Sequence, residues 1–84
     1  MDSLAKATAE LARNQINILS VTLDEGYIEG IEFEYGWRVT PTSMKWTRAF
    51  FLSNENRNAS KGQLADYYSE LLSFVKQVRD SLEG

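Results

Sequence analysis

The strongest constraint on this chain is a period of two that runs from Leu19 to Leu52. It is interrupted by turn chemistry at Asp24-Glu25-Gly26 and again at Pro41. Alternation of apolar and polar residues is the pattern of strands with one buried face. Leu19, Val21 and Leu23 alternate with Ser20 and Thr22. After Gly26, Tyr27, Ile31, Phe33, Tyr35, Trp37 and Val39 share one parity, and Ile28, Gly30, Glu32, Glu34, Gly36, Arg38 and Thr40 the other. Met44, Trp46, Phe50 and Leu52 continue the pattern beyond the proline. The reading is therefore three strands, at 18–23, 27–39 and 44–53, joined as an antiparallel meander.

Turn chemistry sets the expected register. Gly26 suits the left-handed position of a three-residue loop closed by Leu23 and Tyr27. Pro41 fixes a negative φ, which excludes a two-residue type I′ turn. A four-residue loop, Thr40 to Ser43, is expected instead, closed by Val39 and Met44. This register sets Trp37 opposite Trp46, Phe33 opposite Phe50 and Ile31 opposite Leu52. All large apolar residues then share one face, and a slip of one residue would scatter them. Two residues do not fit that face, Glu29 and Arg48, the latter opposite Tyr35.

Helices flank the strands. Leu4, Ala7, Thr8, Leu11, Ala12 and Gln15 fall on one side of a helix at 3–15, with Asp2 or Ser3 as its N-cap. Asn54 to Ser60 reads as a polar loop. Ser60 and Gln63 then form a capping-box pattern, and Leu64, Tyr68, Leu71, Val75, Val78 and Leu82 form the stripe of a helix at 61–82, widened by Tyr67, Leu72 and Phe74. The expected fold is α+β: a single domain over 1–84, α-β-β-β-α, with both helices packed on one face of the sheet.

The residues that are missing exclude much chemistry. The 84-residue chain has no cysteine and no histidine. Disulfides, thiol nucleophiles, Cys/His zinc sites and serine–histidine triads are absent on that ground. The glycines lie in strands and turns rather than in a phosphate loop. Asp24-Glu25-Gly26 lacks the rest of a calcium loop. Carboxylate pairs such as Asp24/Glu25 and Glu32/Glu34 sit on a turn or an exposed strand, where nothing would raise a pKa for acid–base work. No enzyme, metal or cofactor is expected. No apolar run approaches the roughly 20 residues of a membrane span, and a soluble cytoplasmic protein is the expectation.

Charge is segregated. The net value is −3, but residues 24–34 carry −5 and residues 38–61 carry +4. A solvated hairpin with partly balanced neighbours is the plainest reading. The sharper one is a recognition surface on another protein, formed by Asp24, Glu25, Glu29, Glu32 and Glu34, with Ile28 and Phe51 as apolar anchors on an open sheet face. Glu32 and Glu34 would project about 7 Å apart, near the spacing of phosphates along one nucleic-acid strand. Such a surface suits an inhibitor or adaptor of a basic nucleic-acid-binding protein, of the kind small viral and mobile-element genes encode. Two alternatives stay open. One is a single-stranded nucleic-acid binder using Arg38, Lys45 and Arg48 with the tryptophans, although the pattern reads Trp37 and Trp46 as core. The other is a structural homodimer.

Overall fold

The computed structural model describes residues 3–83, apart from the side chains of 54–56. The order is α1 (Ser3–Arg13), β1 (Ile16–Asp24), β2 (Tyr27–Thr40), β3 (Ser43–Asn58) and α2 (Lys61–Glu83). The strands form an antiparallel sheet in the order β1-β2-β3, with both helices on one face, as the alternation implies. The strand β3 runs through the stretch expected as a loop, to Asn58.

Both hairpins close on two-residue turns, one residue shorter than expected at the first and two shorter at the second. Asp24 pairs with Tyr27, and Glu25 and Gly26 form the turn with φ of 50° and 84°. Positive φ at both positions marks a type I′ turn, whose twist matches that of the strands. At the second hairpin Thr40 pairs with Ser43, and the Ser43 amide donates to Thr40 Oγ1 at 3.1 Å. Neither Pro41 nor Thr42 has positive φ, so this turn is not type I′. Its poorer match to strand twist is taken up next door. The register shifts between Arg38 and Thr40, leaving Val39 as an extra, unpaired residue.

That one residue resets the whole of β3. Below the bulge Trp37 pairs with Lys45, Tyr35 with Thr47, Phe33 with Ala49 and Ile31 with Phe51. The expected pairs, Trp37 with Trp46 and Phe33 with Phe50, are not formed. Because side chains alternate, a slip of one residue sends Met44, Trp46, Phe50 and Leu52 to the face away from the helices. They are 41–63% exposed.

A second bulge acts at Glu29. Between Thr22 and Leu23, β1 advances by one residue while β2 passes from Gly30 to Ile28. Glu29 is left in solvent and Ile28 turns into the core at 2% exposure. A third register shift, between Ile18 and Ser20, leaves Leu19 exposed. The core side of β1 is thus Ile16, Ile18 and Val21, rather than Leu19, Val21 and Leu23.

The core lies between sheet and helices. Ile16, Ile28, Ile31, Phe33 and Tyr35 meet Leu11 of α1 and Tyr67, Tyr68, Leu71, Leu72 and Val75 of α2. Burial holds the Tyr68 phenol above the ordinary tyrosine pKa, because the charged form is desolvated. The helix α1 stops two residues early. Gln15 takes a left-handed φ of 56°, and Asn14 Nδ2 donates to Glu10 O at 2.8 Å, satisfying one of the helix's last carbonyls. Ser3 is the first helical residue, and Asp2 lies outside the described residues. At the start of α2, the Gln63 amide donates to Ser60 Oγ at 3.4 Å, as the capping pattern implies.

Arg79 ties the layers together. Its Nε donates to Gly36 O at 2.9 Å, and its Nη2 donates to Asn14 O and Gln15 O. Gly36 N donates in turn to Gln15 O at 2.9 Å. One guanidinium thus joins α2, the α1–β1 turn and the middle of the sheet. Burial lowers its pKa, and the neighbouring Glu83 carboxylate and Tyr35 oppose that shift.

Candidate functional site: the open sheet face

The face away from the helices is built by three strands. β1 gives it Asn17, Ser20 and Thr22. β2 gives it Gly30, Glu32, Glu34, Gly36 and Arg38. β3 gives it Met44, Trp46, Arg48, Phe50 and Leu52. The large apolar residues therefore sit along one edge of the sheet, with polar and charged residues beside them. Trp46 is 46% and Phe50 51% exposed.

Two glycines shape this face. Gly30 pairs with Leu52, and a Cβ built on it would lie 2.5 Å from Cε1 and Cζ of the Phe50 ring. At Gly36 a Cβ would come within 2.9 Å of Met44 Sδ and 3.3 Å of the Trp46 indole. The absence of side chains at 30 and 36 thus lets Phe50, Trp46 and Met44 lean inward across the sheet. Each ring covers a glycine on its neighbour strand, an arrangement that pins register in sheets. The result is a low apolar ridge rather than a pocket.

Charges punctuate the ridge. Glu34 lies opposite Arg48, and Glu32 opposite Phe50. Glu34 Oε1 accepts a hydrogen bond from Asn17 Nδ2 at 3.1 Å. Neither Arg48 nor Lys45 makes an ion pair among the described residues. The Arg48 that had no place in the core register belongs to this face.

The expected site residues separate into three groups. Glu32 and Glu34 stand on the open face. Asp24, Glu25 and Glu29 gather at the β1–β2 turn, where they line a small cleft with Tyr27. Ile28 and Phe51 are not open-face anchors. Ile28 is buried by the bulge, and Phe51 points to the helices, its ring 6.3 Å from Tyr67 and 5.8 Å from Phe74. The basic candidates divide as well. Arg48 is on the open face. Arg38 is there too, with its Nη1 donating to Pro41 O at 3.0 Å and its amide to Glu83 Oε2 at 2.7 Å. Lys45 lies on the helix side, paired with Trp37. Trp37 packs against the core and donates from Nε1 to Thr47 Oγ1 at 2.9 Å, whereas Trp46, expected in the core, is in solvent.

The ridge of Met44, Trp46, Phe50 and Leu52 is the part that sequence reasoning missed. The signal was present in the misfit of Arg48 and in the glycines at 30 and 36, which share a parity with Glu32 and Glu34.

A groove elsewhere, lined by Tyr27, Arg57, Gln63, Asp66 and Ser69, is bridged by an ion pair. Arg57, beside Tyr27, pairs with Glu70 at 2.6 Å and lies 4.5 Å over the Tyr67 ring. No group of three or more carboxylates among the described residues is placed to hold a metal ion. No helix among them is long and apolar enough to cross a membrane. Comparison with family models, curated proteins and solved structures yields no match.

Proposed function

We propose that this chain is a non-enzymatic protein-binding module that docks its open sheet face on a partner, as an inhibitor or adaptor. The observation that carries the reading is the exposed ridge of Met44, Trp46, Phe50 and Leu52 beside Glu32 and Glu34. Trp, Phe, Met and Arg are the residue types that interfaces concentrate, and large aromatics in a central patch supply most binding energy. Exposed aromatics set among charged residues mark an interaction site. The complementary surface is apolar with a basic border, which meets the two glutamates. A nucleic-acid-binding protein has such borders.

The test is capture from native-host extract, read by mass spectrometry, with wild type and a Glu32→Lys, Glu34→Lys double variant side by side. The expected result is a partner retained by the wild type and lost by the variant, with unchanged circular dichroism. Equal retention by both would overturn the role of the acidic pair.

A second reading has its own observation. Trp46 and Phe50 are exposed on either side of Arg48, an arrangement suited to stacking bases. Glu32 and Glu34 beside them repel phosphate, which favours the protein reading. An oligothymidylate titration separates the two. Salt-dependent quenching of tryptophan emission would support nucleic acid, and unchanged emission supports a protein partner.

A further inference from the structure

We propose that two copies of this chain pair edge to edge through β3, related by a two-fold axis that passes beside Ala49 and stands perpendicular to the sheet. This inference rests on the edge of β3 and not on the partner reading above.

Strand order leaves β3 at the margin of the sheet, and among the described residues it pairs with β2 alone. It is long and contains no proline. Its outer edge is therefore a row of backbone donors and acceptors with no strand to meet them. Sheet proteins ordinarily blunt such an edge, and an apolar one left open recruits another strand.

The apolar rim runs through both layers of the molecule. On the open side Leu52 is 63% exposed, and Trp46 and Phe50, which lean inward over Gly36 and Gly30, stand about half exposed behind it. On the helix side Phe51 packs on Phe74 of α2, which is itself 43% exposed. A single added peptide strand would cover the backbone and the ridge but leave Phe74 in water. A second copy presents the same two layers, sheet below and α2 above. With the axis perpendicular to the sheet, both α2 helices fall on one side, and Phe74 meets its counterpart's helix layer.

Charge excludes one register, and side-chain size at the axis chooses among the rest. An axis at Arg48 would set that arginine against its own copy, and like charges directly opposite are destabilising. Moving the axis to Ala49 places Arg48 opposite Phe50, Trp46 opposite Leu52 and Lys45 opposite Ser53. Every cation then faces an aromatic or a neutral residue, and the smallest side chain lies on the axis.

Size sets the expected strength. Residues 44–52 extend about 30 Å at about 3.3 Å each, and the molecule is 18 Å along its shortest axis. The joined rims bury roughly 1,100 Å² over both copies, just below the range of about 1,200–2,000 Å² found for stable interfaces. The dimer should dissociate on dilution. It leaves both open faces on one side, so the ridge of one copy continues into the ridge of the other.

The test uses the full chain. Sedimentation equilibrium from about 1 to about 300 µM, covering the micromolar affinities that modest interfaces reach, should show mass rising from one chain to two. Phe74→Glu should weaken association at least tenfold, while Leu23→Glu on the β1 margin leaves it unchanged. The chain has no cysteine of its own, so Arg48→Cys, exposed on the open face and diagonal to its own copy at about 7–8 Å across the axis, should be joined to that copy by a short bismaleimide. A single-chain mass at every concentration would overturn the proposal. So would a dimer that Phe74→Glu leaves intact and that Arg48→Cys fails to cross-link. Glu32→Lys with Glu34→Lys should abolish partner capture without changing this mass, so the two proposals fail separately.

Discussion

β2 and β3 are neighbours with the same alternating composition, yet their large residues go to opposite faces of the sheet. Ile31, Phe33 and Tyr35 are buried under the helices, whereas Trp46, Phe50 and Leu52 stand in solvent. The contrast shows what a period of two contains. It says which residues of a strand share a face, and it leaves the choice of face to the turn. Here Pro41 imposes a turn that is not type I′, Val39 bulges beside it, and the phase of β3 is inverted relative to β2. The core face is correspondingly lean on β3, where Thr47 and Ala49 lie beneath the helix layer, and α2 makes up the volume with Tyr67 and Tyr68.

Truncation on the two faces should break this symmetry most clearly. Phe33→Ala removes a ring that is 0% exposed and should cost about 3–5 kcal/mol. Phe50→Ala should cost under about 1 kcal/mol, the worth of a cross-strand pair. Urea unfolding of both variants measures the difference, and equal costs would place Phe50 in the core. Arg79→Met comes next. It leaves carbonyls of Asn14, Gln15 and Gly36 without their donor, and a loss of about 1.5–3 kcal/mol is expected for bonds to a charged group.

Gly30→Ala sharpens the comparison at smaller cost. The new Cβ meets the far end of the Phe50 ring, which is half in solvent and free to swing aside, and sits 3.2 Å from the Phe51 carbonyl oxygen, which must give by a few tenths of an ångström. Stability should change by no more than about 1 kcal/mol, since the strain is offset by reduced freedom of the unfolded chain. The readout is loss of the ring-current shift at residue 30 in the proton spectrum. An unshifted glycine in the wild type would mean that the ring does not cover it. Smallest of all is the alkaline effect of Tyr68. Its folded pKa is raised by burial, so the native state holds the proton that the unfolded chain releases. Stability should fall as pH climbs past about 10, and Tyr68→Phe should flatten that slope.

Much of this was legible in the residues. Element order, the meander and the stripe of α2 follow from periods of two and 3.6. Gly26 in its left-handed position and the Ser60 cap follow from local chemistry. The phase of β3 did not, because both registers bury a plausible set of side chains on one face or the other. Arg48 carried the correction. In the expected register it faces Tyr35 in the core, whereas one residue of slip sets it opposite Glu34. Glu29 carried a second, since a bulge that frees it to solvent is the one that buries Ile28. Of the proposed surface, Glu32 and Glu34 were legible and the aromatic ridge was not. Arg79 escaped notice because its three acceptors are backbone carbonyls, which a sequence does not mark.

The central claim is that the ridge on β3 serves recognition while the other face serves folding. The most direct measurement takes one preparation of the Trp46→Ala, Phe50→Ala double variant and reads both its unfolding free energy and its capture of the partner. The account predicts a stability loss of no more than about 2 kcal/mol, with partner retention reduced at least tenfold. Collapse of stability, or undiminished capture by a folded variant, would contradict it.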